Sequence, residues 1–156
     1  MAFTVSHIGI VVADLERSTR FYCQGLGFER GMDSRSGNEI KVLSEFTEDV
    51  DVVCRFVRKD GLKLELMQYT GPQPIASPGR RPLNQIGGPS HIALRVDDLD
   101  AALLAIEDFG GRVLHATRTR FALFPDEDIV LCYCLDPDEV RLSISELGPK
   151  GIAVVG

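Results

Sequence analysis

The sequence predicts an α+β protein built from two tandem βαβββ modules, and three observations predict it. The segment Ser6-His7-Ile8-Gly9-Ile10-Val11-Val12-Ala13-Asp14-Leu15 returns 84 residues later as Ser90-His91-Ile92-Ala93-Leu94-Arg95-Val96-Asp97-Asp98-Leu99. Each copy runs on into a stretch of helical periodicity that stops at glycine. Each helix is then followed by short β-prone runs. A repeat of this length is too long for a solenoid and suggests a pseudo-two-fold domain whose equivalent residues converge near the axis. His7 and His91 are the most informative of those residues.

Thr4 to Val12 is rich in β-branched residues and reads as a strand, with Asp14 following where a helix N-cap belongs. Leu15, Ser18, Phe21, Tyr22 and Leu26 then recur at helical spacing, and Gly25 and Gly27 end the helix. The second copy repeats this with a strand from about Pro89 to Val96, Asp98 as cap, and a helix carrying Leu99, Ala102, Leu103, Ile106 and Phe109 before Gly110-Gly111. Strands are expected at Ile40 to Phe46, Asp51 to Val57 and Leu62 to Tyr69 in the first module. In the second they are expected at Arg112 to Thr117, Arg120 to Phe124, Ile129 to Leu135 and Arg141 to Leu147, two of these runs forming one bent strand. Asp60-Gly61 and Asp136-Pro137-Asp138 supply the corresponding turns. The modules thus span about 4–70 and 89–147 of a single domain, with a Pro- and Gly-rich connector at 71–88 and a peripheral tail at 148–156.

At 156 residues the chain is long enough for one core shared by two half-units. A net charge of −6 and a pI near 5.0 argue against nucleic acid as a partner. No apolar run has the length of a membrane span, and the N-terminus lacks a basic region followed by an apolar core. A cytoplasmic location is expected, and Cys23, Cys54, Cys132 and Cys134 suit its reducing conditions as unbridged thiols. Cys132 and Cys134 fall on one face of a strand, where packing is the expected role.

The pattern His-Ile-Gly-Ile-Val-Val-x-Asp-Leu-x-x-Ser-x-x-Phe-Tyr-x-x-x-Leu-Gly-Phe from His7 to Phe28 resembles the vicinal oxygen chelate superfamily. So do Leu64-Glu65-Leu66, His91-Ile92-Ala93 and Asp136-Pro137-Asp138. That superfamily includes glyoxalase I, methylmalonyl-CoA epimerase, extradiol dioxygenases and the fosfomycin and bleomycin resistance proteins. The resemblance covers about Val5 to Leu147 and specifies fold more closely than reaction. It implies an open, cupped β-barrel with helices outside and one divalent metal ion within. His7 and His91 match the first-strand ligands of the two modules and Glu65 a last-strand ligand. Aligning Lys63-Leu64-Glu65-Leu66 with Arg141-Leu142-Ser143-Ile144 puts Ser143 where many relatives carry glutamate. Glu146 could take that place only by an odd register shift, which reverses the face of a strand.

Two histidines and one carboxylate suit non-haem Fe(II), and Mn, Ni, Co or Zn also bind such donors. The implied protein is an enzyme of glyoxalase or extradiol dioxygenase type on a small oxygen-rich metabolite held through neighbouring oxygens. The alternative is a metal-free protein that sequesters a ligand, as bleomycin resistance proteins do. Serine lacks the pKa to serve as a proton-moving base in place of glutamate. His115, Glu45, Tyr69 and Tyr133 are candidates by type alone, and each also has an ordinary reading as a surface or packed residue. No catalytic residue is therefore assigned. Arg80-Arg81 could hold an anionic group, although such pairs are more often solvated. The sheet edges of an open cup predict a homodimer.

Overall fold

A computed structural model describes residues 2–71, 83, 87–124 and 127–147. The chain divides into two compact units, 1–77 and 78–156, each of which is described in its own frame. The first contains β1 (Ile8–Val11), α1 (Leu15–Arg20), β2 (Glu29–Ser36), β3 (Asp51–Lys59) and β4 (Leu62–Gly71). The second contains β5 (Ile92–Val96), α2 (Leu99–Asp108), β6 (Arg112–Val113), β7 (Thr119–Phe124), β8 (Glu127–Leu135) and β9 (Arg141–Leu147).

The first sheet has the order β1-β4-β3-β2, and β1 runs parallel to β4. The second has the order β5-β9-β8, with β6 and β7 both antiparallel to β8. β5 again runs parallel to β9. The α+β, twice-repeated βαβββ architecture is therefore the one the sequence predicts.

Both helices begin as expected. Asp14 caps α1 by accepting from Arg17 N at 2.9 Å, and Asp98 caps α2 by accepting from Ala101 N at 3.0 Å. A π-helical turn over Phe21–Gly25 extends α1, and Gly27 closes it at φ +72°, a conformation natural to glycine. Leu15, Phe21, Tyr22, Leu64 and Leu66 form the buried layer between α1 and its sheet. Leu64 and Leu66 are wholly buried, each worth about 2 kcal/mol of apolar transfer. In the second unit Leu99, Leu103, Ile106, Leu142 and Ile144 repeat that layer. Each helix thereby covers one face of its sheet, leaving the alternate residues of each strand on the other.

Two expected strands differ. Ile40 to Phe46 forms turns rather than a strand, with Asn38–Ile40 a 3-10 turn and Val42 and Leu43 exposed. The strand in this part of the module is β2, whose polar sequence gives no apolar alternation. Charge pairing across β3 holds it instead: Asp33 with Arg55, Arg35 with Asp51 and Glu29 with Arg58. Arg112 to Thr117 shortens to β6 followed by a 3-10 turn over His115–Thr117. β6 and β7 nevertheless lie along the same strand β8, so the expected single edge strand is present in two pieces. Asp60, Gly61 and Glu139 take positive φ in the two expected turns. The connector residues 72–82, Arg80 and Arg81 among them, and the tail 148–156 lie outside the described residues.

Candidate metal centre

The strand registers place the candidate residues in equivalent positions. Glu65 of β4 lies beside Gly9 of β1 and Phe56 of β3. Ser143 of β9 lies beside Ala93 of β5 and Tyr133 of β8. Each of Gly9 and Ala93 is two residues past a histidine, so Ser143 is the structural counterpart of Glu65. The alignment drawn from the sequence is correct.

Around each histidine the same contacts recur. Ser6 Oγ lies 2.9 Å from His7 Nδ1, and Ser90 Oγ lies 2.8 Å from His91 Nδ1. Phe56 meets the His7 ring edge-on at 5.4 Å, and Tyr133 meets His91 at 5.5 Å. Lys63 Nζ lies 5.9 Å from the Phe56 ring centroid, and Arg141 Cζ lies 5.4 Å from that of Tyr133. With Nδ1 engaged by serine, Nε2 is the nitrogen available to a ligand in both rings.

In the first unit that nitrogen is 3.1 Å from Glu65 Oε2. Two metal bonds of about 2.1 Å at a right angle hold their donor atoms about 3 Å apart, so the pair fits adjacent vertices of one coordination sphere. Within neither unit, among the described residues, do three His, Cys, Asp or Glu side chains gather around one point. The first unit brings together His7 and Glu65, while the second presents His91 alone. A groove of about 330 Å³ runs beside His7, lined by Gly31, Met32, Phe56, Arg58 and Lys63.

Cys54 shares this surroundings: burial and the Glu65 carboxylate beside it push its thiol up to about 11. On the helix-covered face, buried Arg55 donates to both oxygens of Asp33 at 2.8 Å, to Glu16 at 2.8 Å and to Thr19 at 3.1 Å. This pairing holds the Asp33 carboxyl down at about 2. Burial and neighbouring Cys132 push Cys134 up to about 12, as suits two thiols packed in a core.

The remaining sequence candidates separate cleanly. His115 is exposed, 3.4 Å from Glu107, and Glu45 lies exposed in a turn at φ 58°. Tyr69 packs against Phe46. Tyr133 instead stands on the face that carries His91. Glu146 accepts from Leu99 N at 2.9 Å, as Gln68 accepts from Leu15 N at 2.8 Å. Glu146 is thus engaged at the start of α2, on the helix-covered side of β9. Sequence reasoning passed over Ser6, Ser90, Cys54 and Arg141, because their roles depend on cross-strand register; Ser-His in both repeat copies was the one available signal.

The sequence model of the Glyoxalase/Bleomycin resistance protein/Dioxygenase superfamily matches residues 6–133. The chain belongs to that superfamily. The mitochondrial methylmalonyl-CoA epimerase of Bos taurus is 32% identical over 111 residues, covering 70% of this chain. The match spans 56% of the epimerase, little more than half of its length. Among solved structures, a glyoxalase family protein from Bacillus cereus superposes with a TM-score of 0.77 at 16% identity, over 94% of this chain and 95% of that one. The fosfomycin resistance protein FosX of Listeria monocytogenes, complexed with Mn(II) and sulfate, gives 0.55 at 17% identity over 98% and 99%. These two likenesses establish the fold shared across the superfamily. Among the described residues, no helix is long and apolar enough to cross a membrane.

Proposed function

We propose that this superfamily member is a divalent-metal-dependent enzyme of glyoxalase or dioxygenase type, its ion held by His7, Glu65 and His91. Its substrate is a small metabolite with two neighbouring oxygens. The observation that carries this reading is the 3.1 Å approach of His7 Nε2 to Glu65 Oε2, on a strand pair whose duplicate carries His91 in the same surroundings. Such an ion would polarise the substrate's oxygens and stabilise negative charge developing on them.

The chain's own residues supply the frame. Ser6 and Ser90 set the rotation of the imidazoles, and the edges of Phe56 and Tyr133 restrict it further. The Cys54 thiol adjoins the Glu65 carboxylate and hydrogen-bonds to it. Ser143 cannot take a proton from carbon, so an epimerase-like reaction needs its base elsewhere, whereas dioxygenase chemistry gains by leaving that position uncharged. A homodimer and a cytoplasmic location belong to the same proposal.

The test is metal content by mass spectrometry on untagged protein purified anaerobically without chelator, beside His91→Ala. Near-stoichiometric iron that disappears in the variant assigns oxygenase chemistry, and nickel, cobalt or zinc assigns lyase or isomerase chemistry. Absence of metal from both samples overturns the proposal in favour of metal-free ligand sequestration.

A further inference from the structure

The groove beside His7 holds a cation without a counterion. Basic side chains on the strands of the first unit are Arg30 and Arg35 of β2, Arg55, Arg58 and Lys59 of β3, and Lys63 of β4. Arg30 pairs with Asp33 at 2.9 Å, Arg35 with Asp51 at 2.7 Å, Arg55 with Asp33 and Glu16 at 2.8 Å, and Arg58 with Glu29 at 3.0 Å. Lys59 donates to the Gly27 carbonyl at 3.3 Å. Among the described residues, Lys63 alone of these six has no acceptor. Its Nζ lies instead 5.9 Å from the centroid of Phe56, whose ring stands 5.4 Å from that of His7.

The strand register makes that state unfavourable. Lys63 is the direct cross-strand neighbour of Arg58, and like charges placed opposite one another destabilise a sheet. Glu29 answers Arg58 from β2, on the other side of β3, and leaves Lys63 unanswered. At the same register position the second unit sets Leu135, 1% exposed, opposite Arg141, 8% exposed. Lys63 is exposed and, with His7, lines the groove of about 330 Å³. The rest of its wall is largely apolar. At Gly31 a Cβ would meet Phe56 O at 3.1 Å and Phe56 Cβ at 3.3 Å, so β2 closes on the phenyl ring here as only glycine permits. Met32 follows at the register shift of β2, 67% exposed, on the same groove.

We propose that Lys63 is the specificity-determining residue of this groove and pairs with an anionic group at the end of the substrate remote from its chelating oxygens. The substrate is then a small diacid lying along Phe56. This deepens the metal-site reading and rests on it for the placement of the chelating end. Lys63 and Glu65 share a strand face two residues apart, a separation of about 7 Å. Such a spacing suits a chelating head and an acidic tail parted by about two carbons. The acidic tail would relieve the repulsion between Lys63 and Arg58 that the protein leaves in place.

The test compares 2-oxoglutarate with 2-oxovalerate, which has the same carbon chain without the terminal carboxylate. Calorimetry is run on protein loaded with Mn(II) and again after chelator treatment, with metal content determined for every sample. Wild type should bind 2-oxoglutarate about tenfold more tightly, the low end for a hydrogen bond to a charged group because Lys63 is open to water. Lys63→Met should keep its metal and bring that ratio to about twofold or less, through loss of 2-oxoglutarate affinity alone. Lys63→Arg should retain most of the preference. Lys59→Met, the same loss of charge on the other face of β3, should leave the ratio at its wild-type value. Added salt should shrink the ratio in wild type. Equal affinity of wild type for the two acids overturns the inference, as does a preference that Lys63→Met retains. Chelator treatment should weaken both acids alike, because their chelating ends are the same. A Lys63-dependent preference unchanged by chelator, in protein found to hold no metal, would remove the metal reading and leave the anion site standing.

Discussion

Glu65→Gln separates a ligand from a structural ion pair. The substitution keeps the shape of the side chain between Leu64 and Leu66 and its cross-strand neighbours Gly9 and Phe56, and it removes one negative charge. The His7–Glu65 pair is partly open to water, with side chains 35% and 18% exposed, so the folded state should lose no more than about 1 kcal/mol. Metal affinity responds on a different scale. Loss of an outer hydrogen bond to a ligand already weakens binding about 10- to 100-fold, and Glu65 is the proposed set's only anionic donor. A loss of about 100-fold or more is therefore expected, equivalent to about 2.7 kcal/mol at 1.36 kcal/mol per tenfold. Anaerobic competition against a chelator of known affinity reads the first quantity, and thermal unfolding of metal-free protein reads the second. Equal metal affinity in wild type and Glu65→Gln would refute the ligand assignment. A metal-free stability loss as large as the binding loss would show that the pair is structural.

Two further outcomes test the frame. Asp33 has its carboxyl depressed to about 2 by Arg55, so its contribution is complete above its unfolded value of about 3.9 and is lost as pH falls through about 2. Linkage gives about 2.5 kcal/mol, which exposure of 40% of the Asp33 side chain reduces to about 1 kcal/mol. Urea unfolding should therefore show a stability loss between pH 5 and pH 2 that is about 1 kcal/mol smaller in Asp33→Asn, and an identical acid slope would disprove the pairing. Glu146→Ala removes the acceptor for Leu99 N and should destabilise the protein by about 1 kcal/mol without changing its metal content. Metal loss in that variant would return Glu146 to the ligand set.

Much of the fold is legible in the sequence because its signals are local. Asp14 and Asp98 cap helices from their own sequence neighbourhoods, and Leu15, Phe21 and Tyr22 mark a helix face by spacing alone. β2 was hidden because its stability comes from partners on β3, as in Asp33 with Arg55, where 22 residues of chain intervene. The apolar Ile40 to Phe46 attracted a strand assignment that no neighbouring strand supports. The same distinction governs the site. His7 and His91 stand out through the repeat and Glu65 through the resemblance, whereas the place of Arg141 beside Tyr133 follows only from the pairing of β8 with β9.

The duplication also supplies an internal control on Glu65. His91 keeps its serine at 2.8 Å and its aromatic edge at 5.5 Å although Ser143 stands where a carboxylate would be. A carboxylate is therefore not required to orient the imidazole in this scaffold. If Glu65 only steadied His7, the second module shows that a small neutral side chain would serve. Yet Glu65 is only 18% exposed, on the strand face opposite the buried Leu64 and Leu66, where its carboxylate meets His7 Nε2 at 3.1 Å. A divalent ion held by this pair, as proposed, would offset the cost of keeping that anion partly buried. Under the proposed function, the difference between the modules at this one register position bears on chemistry rather than on folding: Glu65 gives the first an anion with which to hold a cation, and Ser143 gives the second none.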